Sequence, residues 1–310
     1  MSNIPSQIRD SVIVIAGASS GFGRGAALEL AKQGAKVVVA ARRGELLDEL
    51  VGQITAHGGT AIAAVTDVSL ESDVTNLARL AVETFGRIDV WINNVGVGAI
   101  GYFWDIPVDV HARVVDVNLK GLIYGAHAAL QQFLKQDGGT LVNVGSVDSE
   151  VPLGLQNTYA ATKAAVLSLS RTLNEELRLH GSEERVRIAT IMPWAIDTPW
   201  WDHAANYTGH APRMTAMDDP SLVVEAIVSA CTNPKEEMPV GPKAHLSNIS
   251  HRLFPDLTER LSATMAQRES LKGSPLEPHK GTLFSPMPEG RGVEGGIAHG
   301  QYRLSQEGLR

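Results

Sequence analysis

Five apolar residues, Val12-Ile13-Val14-Ile15-Ala16, run directly into Gly17-Ala18-Ser19-Ser20-Gly21-Phe22-Gly23-Arg24-Gly25 and then into a helical pattern over residues 26–33, closed by Gly34. No other stretch restricts the fold as much. A short β-branched run without polar alternation marks a strand covered on both faces. The glycines let backbone approach a pyrophosphate closely, and the following helix offers free N–H groups and the positive end of its dipole. The spacing Gly-x-x-x-Gly-x-Gly differs from the usual dinucleotide fingerprint Gly-x-Gly-x-x-Gly, so the flanking strand and helix carry the reading. The alternative is a glycine turn needed only to pack helix on strand.

The alternation repeats along the chain. Apolar runs at 36–40, 61–65, 88–92, 140–144, 186–192 and 239–243 are separated by helical patterns at 45–57, 70–85, 117–135, about 159–180 and 221–232. Such an order, with short connections, calls for an α/β fold with a doubly wound, mostly parallel seven-stranded sheet, Rossmann-like, with right-handed crossovers. At 310 residues the chain can bury one full core of this kind. A single domain is expected over 1–270, with a further helical stretch near 246–269. A glycine- and proline-rich tail over 271–310 cannot build a core of its own, and is either mobile or laid against a partner subunit. Ligands of these sheets sit beyond the carboxyl ends of the strands, so the turns after Ala16, Ala40, Val65 and Ile92 share the functional edge.

Composition narrows the ligand. A net charge of -7 and a pI near 5.8 argue against nucleic acid or an anionic membrane as the main partner, which leaves small molecules. There is no apolar run of ~18 residues and no basic region followed by an apolar one, so neither a membrane span nor export is expected. The single Cys231 cannot form an internal disulfide and no His/Cys cluster has metal-ligand spacing, so a reducing, cytoplasmic setting without a metal is expected. The second strand ends in Ala41-Arg42-Arg43. An NAD site usually presents an acid there to the ribose 2′-hydroxyl, whereas an NADP site offers arginine to a 2′-phosphate. With the acid missing, NADP (NADPH) is expected over NAD, and the alternative is that both arginines only begin a solvated helix.

Tyr159 and Lys163 stand at i and i+4 of a helical pattern, where side chains meet. An ammonium beside a phenol lowers its pKa and suits the phenol to acid–base work. Alone, this spacing arises often by chance. Ser146 ends the fifth strand run and by position faces the ligand edge.

Together these residues resemble the short-chain dehydrogenase/reductase family, in its compact branch of about 250 residues, over roughly 11–243. The Gly17/Gly21/Gly23 turn, Asn93-Asn94-Val95-Gly96, Asn118, Ser146, Tyr159 and Lys163 follow the family's order, with Ser146 thirteen residues before Tyr159. The resemblance implies an oxidoreductase that interconverts a carbonyl and an alcohol. Tyr159 would exchange the proton, Lys163 would lower its pKa and hold the nicotinamide ribose, Ser146 would hold the reacting oxygen and Asn118 would steady a water. Cofactor contacts are implied for Gly17, Ser19, Ser20, Gly21, Phe22, Gly23, Arg42, Asp67, Val68, Asn94, Gly96, Pro193 and Thr198, and family members commonly form homodimers or homotetramers. Two departures stand out: Val95 replaces a common alanine, and Trp194 replaces a common glycine at the nicotinamide end.

Trp194, Trp200 and Trp201 fall in a long segment after the sixth strand, a candidate lid. They either pack that segment onto its own domain or wall an apolar substrate site, which makes Trp194 and Trp200 candidate substrate contacts beside Ser146. Tyr102, Phe103 and Trp104 add aromatic area from the loop after the fourth strand, or are core. The rivals to an NADP-dependent carbonyl/alcohol oxidoreductase are a catalytically silent NADP-binding regulator or scaffold of the same fold, and an epimerase or dehydratase acting on a sugar nucleotide. The tail does not look like the larger substrate domain that the last usually needs.

Overall fold

The computed structural model describes residues 7–214 and 216–296. Strands β1 (Val12–Ala16), β2 (Lys36–Ala41) and β3 (Thr60–Val65) alternate with helices α1 (Gly21–Lys32), α2 (Gly44–Ala56) and α3 (Glu71–Phe85). Strand β4 (Val90–Asn93) and the two-residue β5 (Ala99–Ile100) lead into α4 (Val108–Val115), a π-helical turn (Asp116–Lys120) and α5 (Gly121–Gln136). Then come β6 (Gly139–Val144), α6 (Asn157–His180), β7 (Val186–Pro193), the single-turn α7 (Trp200–His203) and β8 (Ala205–Asn206). The order closes with α8 (Pro220–Thr232), β9 (Glu237–Val240), α9 (Gly241–Leu253) and α10 (Pro255–Ser270).

Seven strands form one sheet in the order β3-β2-β1-β4-β6-β7-β9, every neighbouring pair parallel. Because both faces are covered, all five residues of β1 are buried, which is why the run reads as continuously apolar. Its side chains still alternate. Ile13 and Ile15 pack with Leu30, Leu47, Val223 and Ile227 on one side; Val14 and Ala16 pack with Leu77, Ala129, Phe133 and Leu177 on the other. The strand order reverses between β1 and β4, and at that switch a crevice opens beyond the carboxyl ends. No described helix is long and apolar enough to cross a membrane.

Three local expectations are corrected. The last strand lies at Glu237–Val240 rather than 239–243, because Pro242 in the first turn of α9 starts a helix. The helical stretch expected over 246–269 is two helices: Phe254, which precedes Pro255, is forced to φ -140° and ψ 67° and breaks it. The tail, expected to be mobile or laid against a partner, packs on its own chain over residues 273–296. Leu283 is fully buried among Ala99, Ile106, Val110, Val114 and Ala205, and His279 bridges Asn206 of β8. β8 in turn pairs with β5, so the tail is tied to the loop after β4 and crosses the ligand edge of its own chain.

Candidate functional site

A cavity of about 250 Å³ at the switch point is lined by residues from the β1–α1 turn, the ends of β2, β3, β4, β6 and β7, the α6 face and the tail. The β1–α1 turn is shaped for close approach. Gly17 has φ +92°, and a Cβ on Gly23 would stand 2.1 Å from the Gly17 carbonyl oxygen, so neither position accepts a side chain. Asn94 Nδ2 donates to that same oxygen over 2.9 Å, which ties the end of β4 to the turn. Ser19, Ser20, Gly21 and Phe22 line the cavity, as do Asp67, Val68, Gly96, Pro193 and Thr198.

The two arginines after β2 divide their work. Arg43 donates to Ser19 Oγ and Ser20 Oγ and to the carbonyls of Met287, Glu289 and Gly290. It is a brace between the glycine turn and the tail, and burial with Arg42 nearby pushes it down to about 10. Arg42 donates once from each terminal nitrogen, to the carbonyls of Leu283 and Thr282. Of its five N–H groups, three have no protein acceptor among the described residues. Asp67, expected at an adenine, also receives Ser69 and pairs with Arg113 over 2.8 Å. Burial pushes its carboxyl up, but these bonds outweigh that and hold it below its ordinary value. Arg113 also reaches the Leu283 carbonyl. It carries no sequence signal, being one cation on an amphipathic helix.

The catalytic candidates converge. Ser146 is buried, accepts from the backbone N–H of Asp148 over 3.1 Å and hydrogen-bonds Tyr159. Lys163 is buried, with Nζ 5.6 Å from the centre of the Tyr159 ring, and donates to the Val144 carbonyl over 2.7 Å. Gly96 lies against it: a Cβ there would stand 3.4 Å from Nζ. Asn118 sits in the π-turn, where its Oδ1 accepts from Val97 N and its Nδ2 donates to Val97 O and Thr162 Oγ1. Both amide N–H groups are therefore engaged by protein.

Three ionisable groups of the site are shifted from their ordinary values. Tyr159 is held above its usual value, by burial first and by the carboxylate of Asp148 second, against a smaller downward pull from Ser146. Lys163 is itself pushed down to about 8 by burial, partly offset by Asp148, and burial lifts Asp148 to about 7 against the pull of Lys163. Sequence reading missed Asp148. Its only signal is an acid two residues beyond Ser146, followed by Ser149 and Glu150.

The aromatic residues sort cleanly. Trp194 and Trp200 line the cavity, and Trp200 stacks at 5.1 Å, tilted 56°, on Tyr159. Their indole N–H groups are buried without an acceptor among the described residues. Trp201 lines the cavity as well and packs the lid, donating to the Ile196 carbonyl. Tyr102, Phe103 and Trp104 are exposed and lie outside the cavity lining, so they are neither core nor site wall.

Residues 11–207 match the short chain dehydrogenase family. The chain belongs to this family. As a member it is an oxidoreductase. It is 36% identical over 277 residues to the uncharacterized oxidoreductase YxnA of Bacillus subtilis (strain 168), covering 88% of this chain and 77% of that one. Among solved structures it resembles a short chain dehydrogenase/reductase from Burkholderia phymatum in complex with NAD (TM-score 0.72, 26% identity, 88% of this chain and 99% of that chain). It also resembles a 3-ketoacyl-(acyl-carrier-protein) reductase from Brucella melitensis complexed with NADH (TM-score 0.66, 26% identity, 76% and 99%).

Proposed function

We propose that this short chain dehydrogenase interconverts a ketone or aldehyde and an alcohol with NADP(H), in the reductive direction. The convergence of Ser146, Tyr159 and Lys163 at one end of the cleft carries the reading. The fit to a dinucleotide rests on the cradle at Gly17 and Gly23 that a Cβ would fill, on Asn94 and on the three unengaged N–H groups of Arg42. The bound nicotinamide nucleotide supplies the hydride. Ser146 positions the substrate oxygen beside the Tyr159 hydroxyl and donates to it. Tyr159, held protonated at neutral pH by its burial and by Asp148, hands its proton to that oxygen as charge develops on it, which suits reduction. Lys163, within 5.6 Å of the ring, stabilises the phenolate left behind. Trp200, on the Tyr159 ring, and Trp194 wall the substrate and keep water out.

For the 2′-phosphate we assign Arg42 rather than Arg43, whose N–H groups already brace Ser19, Ser20 and the tail. The NAD and NADH in the two solved relatives belong to those proteins. We further propose a homodimer or homotetramer built on α5 and α6; the exposed Ile123, Leu134 and Leu179 support it, and a cytoplasmic setting fits the lone buried Cys231. The test is a carbonyl panel assayed with NADPH and with NADH. Turnover with NADPH is expected, with a loss of roughly 10²–10⁴-fold in Tyr159→Phe while NADPH fluorescence still reports binding. Full turnover in Tyr159→Phe would remove the mechanism.

A further inference from the structure

Asp148 is 5% exposed and lines the cavity with Ser146, Tyr159 and Lys163. Its backbone N–H is used on Ser146 Oγ, yet its carboxylate accepts no hydrogen bond among the described residues. A buried carboxylate has about four lone-pair directions to satisfy, and leaving them unmet is costly. The charge has a counter-charge, because Lys163 and Asp148 act on one another electrostatically; the hydrogen bonds have no such answer. The one open side is the cavity, next to where Ser146 and Tyr159 hold the reacting oxygen. The lining beside it includes the apolar Val147, Val151, Leu153 and Trp200 and the polar Gln156.

Resting on the carbonyl/alcohol reading above, the geometry points to Asp148 as the substrate-specificity residue, accepting a hydrogen bond from a hydroxyl on the carbon next to the reacting one. The substrate class is then an α-hydroxyketone with an apolar body, reduced to a vicinal diol. Hydride from the nicotinamide adds to the carbonyl carbon, the carbon–oxygen π bond opens, and Tyr159 gives its proton to the oxygen; the neighbouring hydroxyl is unchanged. A neutral hydroxyl is favoured over an ammonium by charge. Between about pH 7 and pH 8 Asp148 and Lys163 carry balancing charges, and a third charge would enter a buried site unpaired.

The experiment compares 2-hydroxyacetophenone, acetophenone and 2-aminoacetophenone as substrates of the full chain with NADPH, in wild type, Asp148→Asn and Asp148→Ala. A hydrogen bond to a charged acceptor is worth roughly ten- to a hundredfold. Wild type is expected to favour the hydroxyketone over acetophenone by that ratio in kcat/KM, mostly through KM. Asp148→Ala is expected to bring the ratio near one, and Asp148→Asn, which keeps an acceptor oxygen, to fall between. A wild-type ratio near one, a ratio unchanged in Asp148→Ala, or preference for the amine overturns the assignment while carbonyl reduction stands. If no ketone is reduced, it is the carbonyl reading that fails. Tryptophan quenching of the NADPH-loaded protein by 1-phenyl-1,2-ethanediol and 1-phenylethanol then decides Asp148 separately: tighter diol binding lost in Asp148→Ala supports it, and equal binding in wild type overturns it.

Discussion

At the scale of single residues, the two adjacent arginines show how one side-chain type does different work according to what its donors already meet. Arg43 uses Nε and both terminal nitrogens on hydroxyls and carbonyls of the same chain. Arg42 is fixed through two carbonyls and keeps three N–H groups. Burial lowers the pKa of both, but a guanidinium lowered to about 10, as Arg43 is, stays charged at neutral pH. Arg42→Ala should therefore raise KM for NADPH by roughly tenfold or more, as expected on losing a charge-assisted contact worth about 1.5–3 kcal/mol, and leave KM for NADH nearly unmoved. Steady-state kinetics with both cofactors checks this. Equal effects on the two would mean that Arg42 does not meet a 2′-phosphate. Arg43→Ala should instead weaken both cofactors together, since Ser19, Ser20 and the tail lose a common brace.

At the scale of elements, the one-turn helix α7 joins substrate wall to tail. Its first residue, Trp200, leans on Tyr159; its last, His203, meets the Glu289 carbonyl through Nε2 over 3.1 Å and is pushed down to about 4 by burial. The direction of the pH effect follows from that. Above about pH 6.5 the imidazole is neutral folded or unfolded. Between 6.5 and 4 the unfolded chain takes up a proton that the native site refuses, so stability falls as pH falls through this window and the loss is complete below it. His203→Gln, which can still donate to Glu289 but does not titrate, should show a smaller drop in denaturation midpoint from pH 7 to pH 4.5 than wild type. Parallel drops would show that His203 is not held neutral. None of this could be read in the sequence. The β1–α1 turn could, because strand, glycines and helix are consecutive and each is fixed by local sterics. The Arg42–Leu283 contact spans 241 positions and leaves no local trace, and the break at Phe254 was visible only as a proline rule that the helical pattern masked. The cluster of Ser146, Tyr159 and Lys163 was legible because each sits at a defined place on its own element; the upward shift of Tyr159 was not, because it depends first on how deeply the phenol itself is buried and second on the nearby Asp148.

At the scale of the whole molecule, residues 273–296 act as a strap over the nucleotide end of the cleft. Leu283 plugs a pocket formed by α4, β5 and β8, the carbonyls of Thr282 and Leu283 orient Arg42, and the Gly292 carbonyl accepts the backbone N–H of Gly21 at the start of α1. The strap thus does two opposed things. It orients the guanidinium assigned to a 2′-phosphate, and it holds one N–H of the helix end that a pyrophosphate would use. Ending the chain after Ser270 removes both effects and uncovers the Leu283 pocket, whose filling by one leucine is worth roughly 2–5 kcal/mol. The truncated protein should melt several degrees lower by differential scanning calorimetry. Freed of Gly292, Gly21 can donate to either cofactor, so NADH affinity should rise, whereas Arg42 without its two anchors gains less for NADPH. The ratio of NADPH to NADH affinity, measured by fluorescence titration on both lengths of chain, should therefore fall on truncation. A ratio unchanged at a lower melting temperature would make the strap a stabilising cover alone.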